Sequence, residues 1–327
     1  MSTAMALESA QREAWRDAAR AALAGCAGKV SQDAPIGERT RFRTGGHADV
    51  LFEPTSADDL AQGLKGLPAG IPIHTIGVGS NMLVRDGGIA GVTVILGRPF
   101  KRIEYKGDHL IAGSACLDAA IAEAAARRSL TGLEFFIGIP GTLGGALSMN
   151  AGAYGQELKD VLVQAHVLTH RGERTTWSAA DLNLAYRYSA PPAPCIYLGA
   201  ELAAMPGDRD TIRAAMDKIS STRRDSQPIS ARTGGSTFAN PAGHSVWRLI
   251  EQAGCRGMRI GGAQVSEKHC NFLLNENQAS GHDIERLGET VRQRVFTRSG
   301  IKLRWEIRRV GTFALGQEDP AQWEQAL

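Results

Sequence analysis

Apolar residues recur at helical spacing in four stretches of the chain. Leu117, Ala120, Ile121, Ala124 and Ala125 mark one face, and Ile212, Met216 and Ile219 mark a second that runs into Arg223-Arg224. Val246, Leu249, Ile250 and Ala253 form a third, stopped by Gly254, and Ile284, Leu287, Val291 and Val295 form a longer fourth. Each predicts a helix with one buried face. Ser56-x-x-Asp59 after Pro54 predicts the capped start of a short helix through Leu64. The alanine-rich N-terminus, interrupted by Glu8, Glu13 and Asp17, predicts a surface helix ending at Gly25 or Gly28. Short apolar runs at 50–52, 73–76, 92–96, 161–168, 196–198 and 271–274 predict strands. Up to about residue 210 the pattern is mixed α/β. It changes at Met205-Pro206-Gly207-Asp208, and a compact α+β region follows.

Composition narrows the class. The chain has 327 residues, 43% hydrophobic and 22% charged, with 37 Lys and Arg against 34 Asp and Glu. That near balance argues against a nucleic-acid partner. The charge-free stretch 135–156 could span a bilayer by length, but its glycines, proline and asparagine would leave backbone unsatisfied in lipid. No membrane partner is expected, and five scattered cysteines without a C-x-x-C point to a reducing, cytoplasmic setting. The eight histidines have no metal spacing, so no metal is expected. Glycine is the outlier, at 38 positions, against a usual share of ~7%.

The glycines concentrate where chemistry could sit. Gly77-Val-Gly79-Ser80-Asn81 follows a predicted strand and could cradle a phosphate, or equally be a tight turn. A dinucleotide fingerprint would need its third glycine at Met82, so that pattern fails. Gly138-Ile-Pro140-Gly141-Thr142-Leu143-Gly144-Gly145, followed by Asn150-Ala-Gly152-Ala153-Tyr154-Gly155, is poor helix and strand material. Backbone lying against a flat or anionic ligand explains it better than a turn does. A side chain added at Gly144 is expected to push onto the ligand side. Gly234-Gly235-Ser236 leaves a hydroxyl uncrowded, although from the residues alone a cap or turn serine is the simpler reading. Tyr186-Arg187 and Glu306 could equally be edge charges or ion pairs.

Taken together, eight ordered blocks resemble the UDP-N-acetylenolpyruvoylglucosamine reductase family from about Arg41 to Gly311. They are Phe42-Arg43-Thr44-Gly45-Gly46-x-Ala48, Gly77-x-Gly79-Ser80-Asn81-x-Leu83, Gly132-Leu133-Glu134-x-x-x-Gly138-Ile-Pro140-Gly141-x-x-Gly144-Gly145, and Asn150-Ala-Gly152-Ala153-Tyr154-Gly155. Tyr186-Arg187-x-Ser189, Gly235-Ser236-x-Phe238-x-Asn240-Pro241, Gly261-Gly262-Ala263-x-Val265-Ser266-x-Lys268-His269 and Glu306-x-Arg308 complete the set.

The resemblance implies an α+β protein: a two-part FAD-binding unit of the vanillyl-alcohol-oxidase type plus a C-terminal α+β substrate-binding domain. The expected division is 1–96 with 303–327, then 97–212, then 213–302. It implies FAD and NADPH as cofactors and a small-molecule UDP-sugar substrate, with the protein a monomer or weak homo-oligomer. FAD would be held by Arg43, Thr44, Gly77, Gly79, Ser80, Asn81, Leu83, Pro140, Gly141, Gly144, Gly145, Asn150, Gly152 and Ala153. No histidine or cysteine lies in the glycine blocks at 77–83 and 138–152, so a non-covalent flavin is expected. Tyr154, Tyr186, Arg223, Arg224, Asn240 and Lys268 would contact substrate. The resemblance makes Ser236 the general acid, with Arg187 and Glu306 flanking the enolpyruvyl group. Between Ser189 and Ile196 stands only Ala-Pro-Pro-Ala-Pro-Cys, so the chain resembles the class without a tyrosine lid insertion. A sugar-lactone oxidase of the same fold would keep the glycine blocks without needing Ser236 or Glu306. A non-catalytic flavin-binding regulator would keep the cradle alone.

Overall fold

A computed structural model describes residues 3–326 and divides the chain into two compact units. The first comprises 1–32, 50–77 and 91–223, and the second 33–49, 78–90 and 224–327.

The first unit holds helices α1 (Thr3–Leu23), α2 (Ala57–Gly66), α3 (Asp118–Arg127), α4 (Leu143–Leu147) and most of α5 (Arg209–Ser226). The serine of the predicted cap accepts from the Asp59 N–H at 3.0 Å. The Asp59 carboxylate does not close the box onto Ser56. It takes the N–H groups of Thr55 and Ala27 at 2.8 and 2.7 Å, fixing the exit from α1 instead. A five-stranded antiparallel sheet runs Arg174–Ser178, Leu162–Thr169, Cys195–Leu202, His109–Gly113, Ile103–Lys106. Its last pair turns on Gly107-Asp108, with Gly107 at φ +60°. That hairpin is absent from the apolar pattern because its edge strand, Ile103–Lys106, is mostly exposed. One apolar cluster packs this sheet against α3 around Phe135 and Phe136, and another packs Phe52 and Leu60 under α1.

Leu117 corrects the predicted stripe. It precedes the first turn of α3 in extended backbone and is 48% exposed, since residues before the first turn do not share the helix's buried face. Leu117 forms a β-bridge to Thr142 instead.

The second unit is built on α6 (Val246–Gln252), α7 (Gly281–Ser299) and a three-stranded antiparallel sheet, Arg259–Ile260, Ala263–Val265 and Leu273–Asn275. Helix α7 is specified at both ends. Ser280 and Asp283 form a reciprocal capping box, and Gly300 closes the helix at φ +71°, where a side chain would be strained. Its predicted stripe of Ile284, Leu287, Val291 and Val295 is fully buried. The strand expected at 271–274 starts two residues later, because Asn271 turns its side chain onto another segment. A parallel pair, Met82–Val84 with Arg308–Val310, completes the unit.

Candidate active site

In the first unit the glycine-rich segment folds back on the end of the strand His109–Gly113. The Leu143 and Gly144 N–H groups donate to Cys116 and Ser114 at 3.0 and 2.8 Å. This pins α4. A Cβ at Gly144 would meet Ser114 at 3.2 Å, so that glycine faces the scaffold and not the ligand side. Gly145 is the one whose missing side chain opens outward: it is exposed, and the nearest atom to an added Cβ is 3.8 Å away. Below the loop, Asp118 is fully buried, and burial pushes its carboxyl well above the usual carboxylate range. No motif flagged it, because an aspartate at a helix start normally reads as a surface residue.

Four expected site residues, Arg43, Asn150, Tyr154 and Arg187, have φ between +47° and +54°. Bulky residues avoid this region, and such strain clusters at functional sites. Arg187 sits at the tip of a tight turn closed by two hydrogen bonds between Ala185 and Tyr188. Its guanidinium donates to Gly152 O at 3.1 Å and lies 5.4 Å from the Tyr186 ring centre. Tyr154 donates to Ile219 O at 3.2 Å. Burial raises its phenol, and Arg223 nearby opposes the shift, so the structure brings these two expected substrate contacts together. The Asn150 side chain is spent on the loop itself, bonding Glu157, Ala185 O and the Lys159 N–H at 2.9–3.0 Å.

In the second unit, Phe42 is buried while Arg43 after it is exposed. Gly79 at φ +60° comes so close to Thr40 that an added Cβ would lie 2.8 Å from its Cα. Beside it opens a cavity of about 840 Å³ whose lining includes Arg39, Arg41, Arg43, Arg232 and Val78. Four guanidinium groups against a single carboxylate, Glu38, make a basic basin suited to an anionic dinucleotide. Thr44 gives its hydroxyl to Ala279 O at 2.6 Å, and Asn81 donates to Glu306 O at 3.2 Å. Asn240 takes the first N–H of α6 at 3.0 Å, and Lys268 donates to Arg224 O at 2.6 Å.

Ser236 is not a helix cap. It forms a β-bridge to Phe272 and is half-buried. On its other side the Glu306 and Ile307 N–H groups converge on Thr237 O at 2.8 and 3.3 Å. Two successive donors on one acceptor are the mark of a β-bulge, which re-aims side chains beside active sites. Asn271, missed in the sequence, braces this segment. Its amide exchanges two hydrogen bonds with the Phe238 backbone, at 3.0 and 2.9 Å, and its carbonyl takes the Thr237 N–H at 2.7 Å. Among the described residues no cluster of His, Cys, Asp or Glu could hold a metal, and no helix is long and apolar enough to cross a membrane.

Comparison with known proteins agrees with this layout. A family model for the UDP-N-acetylenolpyruvoylglucosamine reductase C-terminal domain matches residues 227–310, and an FAD binding domain model matches 48–178. UDP-N-acetylenolpyruvoylglucosamine reductase of Parvibaculum lavamentivorans is 53% identical over 284 residues, covering 87% of this chain and 92% of the relative. The protein of that name from Paramagnetospirillum magneticum is 52% identical over 297 residues, covering 91% and 95%. The crystal structure of UDP-N-acetylenolpyruvylglucosamine reductase from Thermus caldophilus matches with a TM-score of 0.76 at 29% identity, covering 87% and 99%.

Proposed function

The chain belongs to the UDP-N-acetylenolpyruvoylglucosamine reductase family, and from that premise we propose how its residues divide the work. The reaction is the reduction of UDP-N-acetylenolpyruvoylglucosamine in peptidoglycan precursor synthesis, by an FAD-containing oxidoreductase. FAD, when bound, would supply the redox chemistry that links NADPH to the enolpyruvyl group.

The protein's part is to bind, orient and protonate. The basic basin at Arg43 and the glycine loops at 77–83 and 138–153 hold the cofactor's phosphates and ring. Arg187 stabilises the negative charge that develops at the substrate carboxylate. Ser236 delivers the proton to the neighbouring carbon as general acid. Glu306 orients that proton donor or carries the proton itself, since an ionised carboxylate there would repel the developing charge. Tyr154, Tyr186 and the Arg223–Arg224 pair take the nucleotide sugar, the arginines suiting its phosphates. Asn240 and Lys268 shape that surface through their backbone partners. In this reading 1–96 with 303–327 and 97–212 form the FAD-binding unit, and 213–302 is the substrate-binding domain. The enzyme works in the cytoplasm as a monomer or weak homo-oligomer, with no nucleic-acid or membrane partner.

The observation that carries this reading is the bulge at Thr237, which ties the segment of Ser236 to that of Glu306 through one carbonyl. Ser236→Ala separates the half-reactions. Anaerobic bleaching of FAD by NADPH should stay near wild type. Reoxidation by UDP-N-acetylenolpyruvoylglucosamine should slow by the ~10²-fold typical of losing a general acid. Equal slowing of both steps, or of neither, rules the role out.

A further inference from the structure

Helix α7 carries two fully buried carboxylates one turn apart, Glu285 and Glu289. Arg85 grips Glu285 with two bonds of 2.9 and 2.8 Å, and Arg309 bridges both carboxylates at 2.9 and 3.0 Å. The Oε1 of Glu289 that takes Arg309 also accepts the Trp305 indole N–H at 2.7 Å. Its Oε2 takes Arg292 at 2.6 Å and the Trp323 indole at 3.0 Å. Trp305, the residue before Glu306, is half-buried and held by several neighbours. Its ring lies 5.0 Å from that of Phe238, and the Arg309 guanidinium stands 4.6 Å from the indole. A Cβ at Gly288 would reach within 2.1 Å of the ring, so α7 is notched to receive it.

Buried ion clusters of this kind add little stability over apolar packing, so stability alone is a weak reason for one. What this cluster does is fix an indole in a single orientation at the base of the Thr237 bulge. We propose that Glu289 is a positioning residue for the substrate half-reaction: through the Trp305 indole N–H it sets the placement of Glu306 opposite the Ser236 segment. The inference rests on the role of Glu306 given above.

Trp305→Phe removes the N–H together with one ring of the indole, while Glu289→Met removes the acceptor and leaves the indole whole, and Glu289→Gln keeps an amide oxygen for it. In Trp305→Phe and Glu289→Met, reoxidation of FAD by UDP-N-acetylenolpyruvoylglucosamine should slow roughly ten- to a hundredfold, as for a small misplacement of a reacting group. FAD content and anaerobic reduction by NADPH should stay within about twofold, and Glu289→Gln should stay near wild type in both steps. The Trp305 indole proton, followed by NMR of tryptophan-labelled protein, should exchange slowly in the wild type and quickly in Glu289→Met. Normal reoxidation in Trp305→Phe, equal slowing of both half-reactions, loss of FAD, or Glu289→Gln as slow as Glu289→Met would each overturn the inference. Glu306→Gln is the reference. If it slows reoxidation and Trp305→Phe does not, only the positioning fails. If Glu306→Gln has no effect, the role of Glu306 falls and the inference with it.

Discussion

In the first unit, Asn150, Tyr154 and Arg187 stand on loops in left-handed backbone, each held by contacts a few residues to some tens of residues away. In the second, Ser236 and Glu306 stand on short extended segments locked side by side by Asn271, Thr237 and Trp305, the last tied to the buried Glu289 of α7. Strain places the groups expected to grip the substrate, and rigid pairing places those expected to manage its proton. A strained grip can be relaxed at no cost to the fold, whereas a paired lattice cannot be loosened without moving everything on it. The two regions should therefore respond oppositely to substitution.

Arg187→Gly tests the first half of that contrast and should give the largest effect. Glycine accepts the positive φ freely, which offsets its own cost of about 0.5–1 kcal/mol. Thermal stability and FAD content should hold, while substrate turnover falls ~10²–10³-fold through loss of charge stabilisation. Unfolding or flavin loss in this variant would make the arginine structural and break the comparison. Asn271→Ala tests the second half. It orphans the buried Phe238 N–H and C=O, which should destabilise by about 2–4 kcal/mol. Reoxidation by substrate should drop ~10²-fold with it as Ser236 loses its seat. Calorimetry and stopped-flow on one preparation check the linkage, and a rate loss without destabilisation would refute it.

Much of this was legible in the sequence, for identifiable reasons. Helix α7 announced itself through its apolar stripe, and the structure adds a capping box and a terminal glycine that agree with it. The glycine loops stood out because long regular elements seldom hold so many glycines, and the only α-helix the segment forms, α4, is five residues long. The brace by Asn271 was not legible, since its partner Phe238 lies 33 residues away and a buried amide has no periodicity. Nor was Asp118, whose burial depends on what α3 packs against. Asn150, Thr44 and Asn240 fall between: their places in the motifs were clear, but their side chains serve backbone groups nearby.

Two neighbouring glycines sharpen the contrast inside the first unit. Gly145→Val adds bulk where α4 opens outward, so the fold should keep its melting temperature while the Kd for FAD rises at least ~10-fold, the equivalent of about 1.4 kcal/mol. Gly144→Val pushes into Ser114 and should lower the melting temperature as well. Titration of FAD into the stripped variants separates them, and identical behaviour would mean that α4 does not face the cofactor.

The smallest effect concerns Glu201, a carboxylate that the first unit buries among charged and polar partners. Glu201, in the strand Cys195–Leu202, is 3% exposed. His109 bonds it at 2.8 Å, Lys106 at 3.2 Å and Gln164 at 3.0 Å, and these partners, His109 foremost, hold it below the usual carboxylate range. Unlike the partners of Glu289, His109 and Lys106 are open to solvent, with side-chain exposures of 38% and 65%. Solvent screening then limits the pairing to under about 1 kcal/mol. Because the folded carboxyl is the stronger acid, its contribution is complete above the unfolded value and is lost as pH falls through the folded one. Glu201→Gln should therefore be slightly less stable than wild type at neutral pH, with the gap closing only below about pH 4. Urea melts of both proteins at pH 7, 5 and 3.5 follow the gap directly. A gap of several kcal/mol, or one that widens in acid, would show that this unit too depends on a buried ionic brace, and the distinction between the two regions would not stand.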